Sequence, residues 1–272
     1  MTRHIYALVF IVLLPVQLYA EPKSEYWDVW DHSDNTSTMV VDHSLWQEIL
    51  TEYVYQDQDK INKVNYQSLL ANNRPKLDAY ISSLTALDPL SLSKSEQLPY
   101  WINLYNALTV QVITEHYPVS SILKISISPG FFNFGPWDKK LIEINDIELS
   151  LNDIEHRILR PIWKDPRIHY AVNCGSYGCP NLRRDIYTAE TSEIMLNENS
   201  ISYINHERGV KVEKGKVELS SIFDWYEDDF GENDSEVLDH IRKYASAELL
   251  SKLEGITKIS DYEYNWDLNE VK

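Results

Sequence analysis

The chain has 272 residues, 43% of them hydrophobic, and its 8 Trp and 18 Tyr are enough for a real core. Its 42 acidic side chains outnumber 25 basic ones, a formal net charge of −17 at pH 7. Such a charge argues against nucleic acid and anionic membrane surfaces as partners, because both repel it, and otherwise means solubility.

Taken in chain order, MTRHIYALVFIVLLPVQLYA reads as a secretory leader over residues 1–20. Arg3 supplies the positive start, residues 5–14 the apolar run, and Ala20 the end of a cleavage site before Glu21. The run is far short of the roughly 20 apolar residues of a spanning helix, so no transmembrane segment is expected in the mature chain. No Cys follows it, which argues against a bacterial-type lipid anchor. Its removal takes one Arg and no acid, leaving 24 − 42 = −18. The expectation is an exported protein, periplasmic or secreted in the bacterial manner, where disulfides persist.

Residues 21–43 are polar and acidic and read as a loose arm, and 44–272 as a single globular domain. Ser44 with Gln47 has the capping-box pattern, and Leu45, Trp46, Ile49, Leu50 and Tyr53 then recur at helical spacing. Leu77, Tyr80, Ile81 and Leu84 mark a second helix. Ser93 with Glu96 repeats the capping box before the most apolar helix, with Trp101, Ile102, Tyr105, Leu108, Val112 and Ile113 on a broad face. Pro99 suits a first turn, so the regular helix is expected to begin there, and Pro118 to stop it. Ser150 is the expected N-cap of a helix with a Leu151, Ile154, Ile158 stripe. RIHYAV alternates like a strand. Residues 192–206 read as a helix and GVKVEKGKVELS as a hairpin turning at Lys214-Gly215. Residues 222–230 and 235–253 read as two more helices, and Tyr262, Tyr264, Trp266 and Leu268 as a terminal strand. The fold class is therefore α/β (α+β): helix-rich, around a small, mostly antiparallel sheet.

The chemistry-bearing residues converge on few places. Asn103 and Asn106 lie three apart, neighbours on one face of the apolar helix. Buried amides must find partners, so they either clamp a loop or position a substrate. Glu155 lies beside a core stripe and His156 on a more open face; Glu155 has Arg160 or Arg167 as its natural ion-pair partner. On a strand, His169 would share a face with Ala171 and Asn173, whereas Cys174 would point the other way. His156 is then the less constrained base for Cys174. Cys174 and Cys179, the only cysteines, are separated by Gly-Ser-Tyr-Gly. They are either a disulfide staple or hold a nucleophile in Cys174, with the Gly175 and Ser176 amides as oxyanion donors. Two cysteines do not make a four-ligand zinc site, and no phosphate-loop or dinucleotide fingerprint is present. No metal and no cofactor are expected.

The strings YWINLYNALTV, HYPVSSI, LSLNDIEHRILR, DPRIHYAVNCGSYGCPNLR, LSSIFDWYEDDFG and YEYNWDLN together resemble the uncharacterised family known as domain of unknown function 547. The resemblance runs in order from Leu45 to Asn269 and implies no established reaction. It places Asn103, Asn106, Glu155, His156, Arg160, Arg167, His169, Cys174 and Cys179 on motif positions; Pro99 departs from the small helix former expected there. A looser resemblance to papain-like and transglutaminase-like thiol hydrolases would set a central helix against a sheet, although here that helix presents Asn103 and Asn106 and no cysteine. The leading expectation is a thiol hydrolase or acyltransferase in which Cys174 attacks and His156 is the base, oriented by Glu155 or Asn106, with His169 a second candidate. Asn103, Arg160, Arg167 and Asn173 are the expected binding residues, for a small molecule or peptide. The alternatives are a non-catalytic binding domain stapled by a Cys174–Cys179 disulfide, and a thiol redox protein.

Overall fold

The computed structural model describes residues 23–130 and 134–271; the leader expected at 1–20 lies outside them. The segment expected as a loose arm is docked. The Glu25 N–H donates to His156 O at 2.9 Å and the Trp27 N–H to Arg157 O at 3.2 Å. Trp30 is buried edge-to-face on Trp101, ring centroids 5.3 Å apart, and the Arg157 guanidinium covers Trp27. The acidic composition of the arm concealed these two indoles, each with enough apolar area to hold a short segment down.

Four helices build the first half: α1 (Ser44–Tyr53), α2 (Tyr66–Asn72), α3 (Arg74–Thr85) and α4 (Lys94–His116), with a hairpin of β1 (Val54–Gln56) and β2 (Asn62–Val64) between α1 and α2. In α4, 17 of 23 residues are buried, so it is encased on nearly all sides and forms the axis of the molecule. It begins at Lys94, five residues before the expected Pro99. Proline costs the Ser95 carbonyl its helical donor, but Ser95 is exposed and water can serve it. Neither foreseen capping box forms. Gln47 instead grips residues 184–186, donating to Arg184 O at 2.7 Å and accepting from Ile186 N at 3.1 Å. Glu96 accepts from the Val41 N–H of the arm at 3.3 Å. Tertiary donors outcompeted the local ones.

The hairpin of β3 (Ile142–Ile144) and β4 (Ile147–Leu149), unforeseen from sequence, turns on Asn145 and Asp146, whose φ angles of 52° and 60° give a primed turn. At the following helix Ser150 and Asp153 do cap reciprocally: the Ser150 N–H donates to Asp153 Oδ2 at 2.8 Å and the Asp153 N–H to Ser150 Oγ at 3.2 Å. That helix opens with a π-helical stretch, Asp153–Leu159, and continues as α5 (Arg160–Trp163).

After α6 (Ser192–Ile204) comes the expected hairpin of β5 (Val210–Glu213) and β6 (Lys216–Ser220), turning at Lys214-Gly215 with left-handed φ angles. Then follow α7 (Ile222–Trp225), α8 (Glu227–Phe230), α9 (Asp234–Tyr244), α10 (Ala247–Lys252) and β7 (Asp261–Glu263), which adds to β6 in parallel. Among the described residues the strands form three small sheets of two or three strands, antiparallel except for the β6–β7 pair. Apolar side chains collect in two cores, one around α4 and one between β5, β6 and α9. Ile168 belongs to the first and Tyr170 to the second, so residues 166–180 run along the seam between them.

Candidate functional site

RIHYAV does not form the expected strand. Asp165 accepts from the Arg167 N–H at 2.9 Å and caps a 3-10 helix, Pro166–Tyr170, that starts on the proline. The Asp-Pro pair is a helix-start signal that outweighs the alternation, and the parity argument separating His169 from Cys174 lapses with the strand.

The loop beyond it is held by amides. Asn106 donates to Ala171 O at 3.0 Å and accepts from the Asn173 N–H at 2.8 Å. Asn173 in turn donates to Pro180 O at 2.6 Å and accepts from the Gly175 N–H at 2.8 Å, closing the loop across both cysteines. Gly175 sits at φ 75°, and a Cβ there would stand 2.3 Å from Ile113 Cδ1 of α4. The tail laces the other side: Tyr177 N–H donates to Asp267 O, Gly178 N–H to Asn265 O and Asn269 N–H to Gly175 O, at 2.7, 2.8 and 3.0 Å. The terminal strand expected over 262–268 therefore pairs only partly as a sheet, its second half spent on this loop.

Both cysteines are free thiols. Cys174 is half-buried and Cys179 is buried. The Cys174 N–H donates to Cys179 Sγ at 3.0 Å, and the two thiols are within hydrogen-bonding reach of each other. Cys174 Sγ, Ser176 Oγ and the Tyr264 hydroxyl form a triangle with edges of 3.1, 3.1 and 2.8 Å. Burial raises both thiols, but at Cys179 the Cys174 and Tyr264 hydrogen bonds outweigh it and bring its pKa to about 7. Cys174 is raised well above the usual range by burial and by the neighbouring sulfur. The pair therefore gives up one proton near neutrality and holds the other.

A second polar cluster adjoins. His169 Nε2 lies 2.6 Å from Asp229 Oδ2 and its Nδ1 3.7 Å from Glu155 Oε1. The His169 ring stacks on Tyr226, centroids 4.1 Å apart. Arg160 Nε donates to Asp229 Oδ2 at 2.5 Å and its Nη1 lies 3.1 Å from His156 Nδ1. Burial pushes the Glu155 carboxyl up, but His156, His169 and the Tyr105 hydroxyl outweigh it and hold its pKa at about 2. Asp229 is likewise held at about 2, through His169 and Arg160. Burial, with the Arg160 charge, lowers His156 to about 4, so it is neutral at ordinary pH. Tyr105 and Tyr226 stand between the clusters, each within electrostatic reach of Glu155 and of Cys174. An open groove of about 730 Å³, lined by Tyr26, Asp31, Arg160, Lys164, Asp228 and Asp229 among others, reaches this cluster from outside.

Residues 89–204 match the family described as a protein of unknown function, DUF547. This segment belongs to the DUF547 family. No curated protein and no solved structure matches the chain. The DUF547 segment spans α4, the π-helical stretch, the cysteine loop and α6, and so supplies Asn106, Glu155, His156, His169, Cys174 and Cys179. The partners that complete the site come from beyond it: Tyr226, Asp229 and Tyr264.

The expected site residues thus sort by geometry. Glu155, His156, Arg160 and His169 share one cluster, and Cys174 and Cys179 the other. Asn106 and Asn173 shape the cysteine loop. Asn103 serves elsewhere, donating to Tyr187 O at 2.8 Å and accepting from its N–H at 3.2 Å. Arg167 also stands apart, locked between Asp165 and Glu193 at 2.6 and 2.7 Å. The expected pairing of Glu155 with Arg160 or Arg167 is replaced by His169; Arg160 goes to Asp229. Among the described residues no histidine nitrogen hydrogen-bonds either sulfur, and no group of three His, Cys, Asp or Glu side chains is placed to hold a metal ion. The Gly175 N–H, expected as an oxyanion donor, is committed to Asn173. Sequence reasoning missed Ser176 as a thiol partner, and Tyr226, Asp229 and Tyr264 as site residues. The last three lie in the motif strings FDWYEDDF and YEYNW, which were the available signal.

Proposed function

We propose that the domain carries out thiol–disulfide exchange through Cys174 and Cys179. The observation that supports this best is the arrangement of the pair: a half-buried Cys174 within hydrogen-bonding reach of a buried Cys179, with His156 and His169 engaged elsewhere. Cys179, the thiol that deprotonates near neutrality, takes the proton of Cys174, and the Cys174 thiolate attacks a disulfide R–S–S–R′; a Cys174–S–R bond forms, the substrate S–S bond breaks, and R′S⁻ departs with the Cys179 proton. Cys179 as thiolate then attacks the Cys174 sulfur, closing the Cys174–Cys179 bond and releasing RS⁻, which is protonated in turn. The protein gives up two electrons and two protons and the substrate takes both. The substrate class is a small-molecule or peptide disulfide, and the reverse direction makes the oxidised protein a disulfide donor. The leader expected over residues 1–20 favours work in an exported, oxidising compartment.

The test is equilibration of the folded, reduced chain with graded ratios of reduced and oxidised glutathione, read by intact mass after acid quench. The reading expects a single transition to a species two hydrogens lighter. A chain that stays dithiol at every ratio overturns it. A second reading, acyl transfer by Cys174, draws on one observation: Tyr105 and Tyr226 are each within electrostatic reach of both Cys174 and Glu155. Under that reading an activated thioester leaves a stable acyl adduct on Cys174, whereas under exchange only disulfides do.

A further inference from the structure

Arg208 reaches the cysteine loop from the connection between α6 and β5. Its Nη1 donates to Tyr177 O at 3.1 Å and its Nη2 to Asn181 Oδ1 at 2.7 Å. Both acceptors are neutral, and they bracket Cys179 in sequence. The guanidinium stands 5.5 Å from the centroid of the Tyr203 ring, and the Tyr203 hydroxyl donates to Gly178 O at 2.7 Å, gripping the same loop. Among the described residues no carboxylate pairs with Arg208, and its buried Nε meets no acceptor. A half-buried cation without a counter-ion is costly unless an anion forms beside it.

Apart from the Ser176 hydroxyl, the side chains closest to the sulfurs are phenols. Tyr66 comes from α2, Tyr105 from α4, Tyr203 from α6, Tyr226 from between α7 and α8, and Tyr264 from the tail. Burial holds each above its ordinary pKa, so all are neutral at pH 7. Glu155 lies beyond Tyr105, and Glu270 is within electrostatic reach of Tyr66; both oppose a thiolate. Lys63, from β2, covers the Tyr177 ring but is paired with Asp57 at 2.9 Å. His206 is next to Arg208, accepting its N–H at 3.1 Å, and is neutral because burial lowers its pKa.

We propose that Arg208 is the positioning residue of the thiol pair: its fork fixes the loop that carries both sulfurs, and its charge is the counter-ion of the thiolate that forms there. This rests on the exchange reading above for its purpose, but not for its detection. The cation answers a charge that exists only when the pair is deprotonated, which explains a guanidinium held on neutral acceptors at this spot. Electrostatic reach between Arg208 and Cys179 agrees with the assignment.

The experiment titrates the thiolate by its ultraviolet absorbance in the full chain, alongside alkylation rate against pH, for the native protein, Arg208→Gln and Arg208→Lys. A Cys174→Ser, Cys179→Ser double variant gives the phenol background. Arg208→Gln is expected to move the first deprotonation up by roughly one pH unit, with alkylation at neutral pH slowed about tenfold. Arg208→Lys keeps the charge and loses the fork, so its profile stays near the native one while closure of the disulfide slows. A folded Arg208→Gln with the native profile overturns the proposal. Should Arg208→Gln not fold, Arg208→Lys decides, since a profile raised as far as a full unit in it removes the charge argument. A chain that shows the Arg208 shift yet never forms the disulfide refutes the exchange reading alone.

Discussion

Asn103 and Asn106 offer a matched pair of perturbations one helical turn apart on α4. Each amide both donates to a backbone carbonyl and accepts from a backbone N–H, and each is almost fully buried, at 1% and 3% exposure. Alanine at either site leaves a buried carbonyl and a buried N–H without partners. At roughly 1–3 kcal/mol for each orphaned group, partly relieved by relaxation, either variant should lose about 2–4 kcal/mol of unfolding free energy. Their consequences for the thiols should differ. Asn106 holds Ala171 and Asn173, the approach to Cys174, whereas Asn103 holds Tyr187, beyond the loop. Urea denaturation should therefore rank the two variants as equals, while alkylation against pH should show a displaced profile for Asn106→Ala and the native profile for Asn103→Ala. Equal displacement in both, or a loss under about 0.5 kcal/mol in Asn106→Ala, would refute the reasoning, because it would mean that the clamp at 171–173 does not set the loop.

Gly175→Ala should cost about 1–3 kcal/mol, from the left-handed φ and from the Ile113 δ-methyl, which must rotate away from the new Cβ within a buried setting; thermal or urea unfolding checks it, and a loss under about 0.5 kcal/mol counts against the backbone described. Stability should fall as pH drops from 6.5 towards 4. His43 and His156 are lowered to about 4 by burial, so the unfolded chain binds protons that the native one refuses. Each contributes up to about 3 kcal/mol, present above 6.5 and lost through that window. Glu155 and Asp229, held at about 2, extend the fall below pH 4. The midpoint of thermal unfolding followed over pH tests this, and His43→Gln should shallow the upper part of the slope. N-terminal sequencing of the natively expressed protein should begin at Glu21; an intact Met1 on soluble cytosolic protein would contradict export.

The large helices were legible because their apolar residues repeat at helical spacing over many turns, as in α4, and the Lys214-Gly215 turn because its residue types suit a left-handed backbone. Local signals misled wherever a distant group competed for the same atoms. Gln47 and Glu96 fit capping boxes but were claimed by residues 184–186 and by the arm. RIHYAV alternates, yet Asp165-Pro166 starts a 3-10 turn that the two cores then hold between them. The arm read as loose because its acids outnumber its two indoles, although the indoles decide where it rests. In the site, the cysteine pair and the Glu155 motif were visible as residue types. Asp229 was hidden in an acidic run resembling a solvated face, and Arg208 in a polar turn. Their roles arise only from long-range packing, which spacing cannot report.

In the proposed exchange Cys174 attacks and Cys179 resolves. It is tested most directly by exposing folded Cys179→Ser and Cys174→Ser variants to an excess of oxidised glutathione and weighing the intact chains. One stable glutathione adduct is expected on Cys174 in Cys179→Ser, almost none on the buried Cys179 of Cys174→Ser, and no adduct but a loss of two hydrogens in the native chain. An unmodified Cys179→Ser, or a native chain that keeps its adduct, would contradict it.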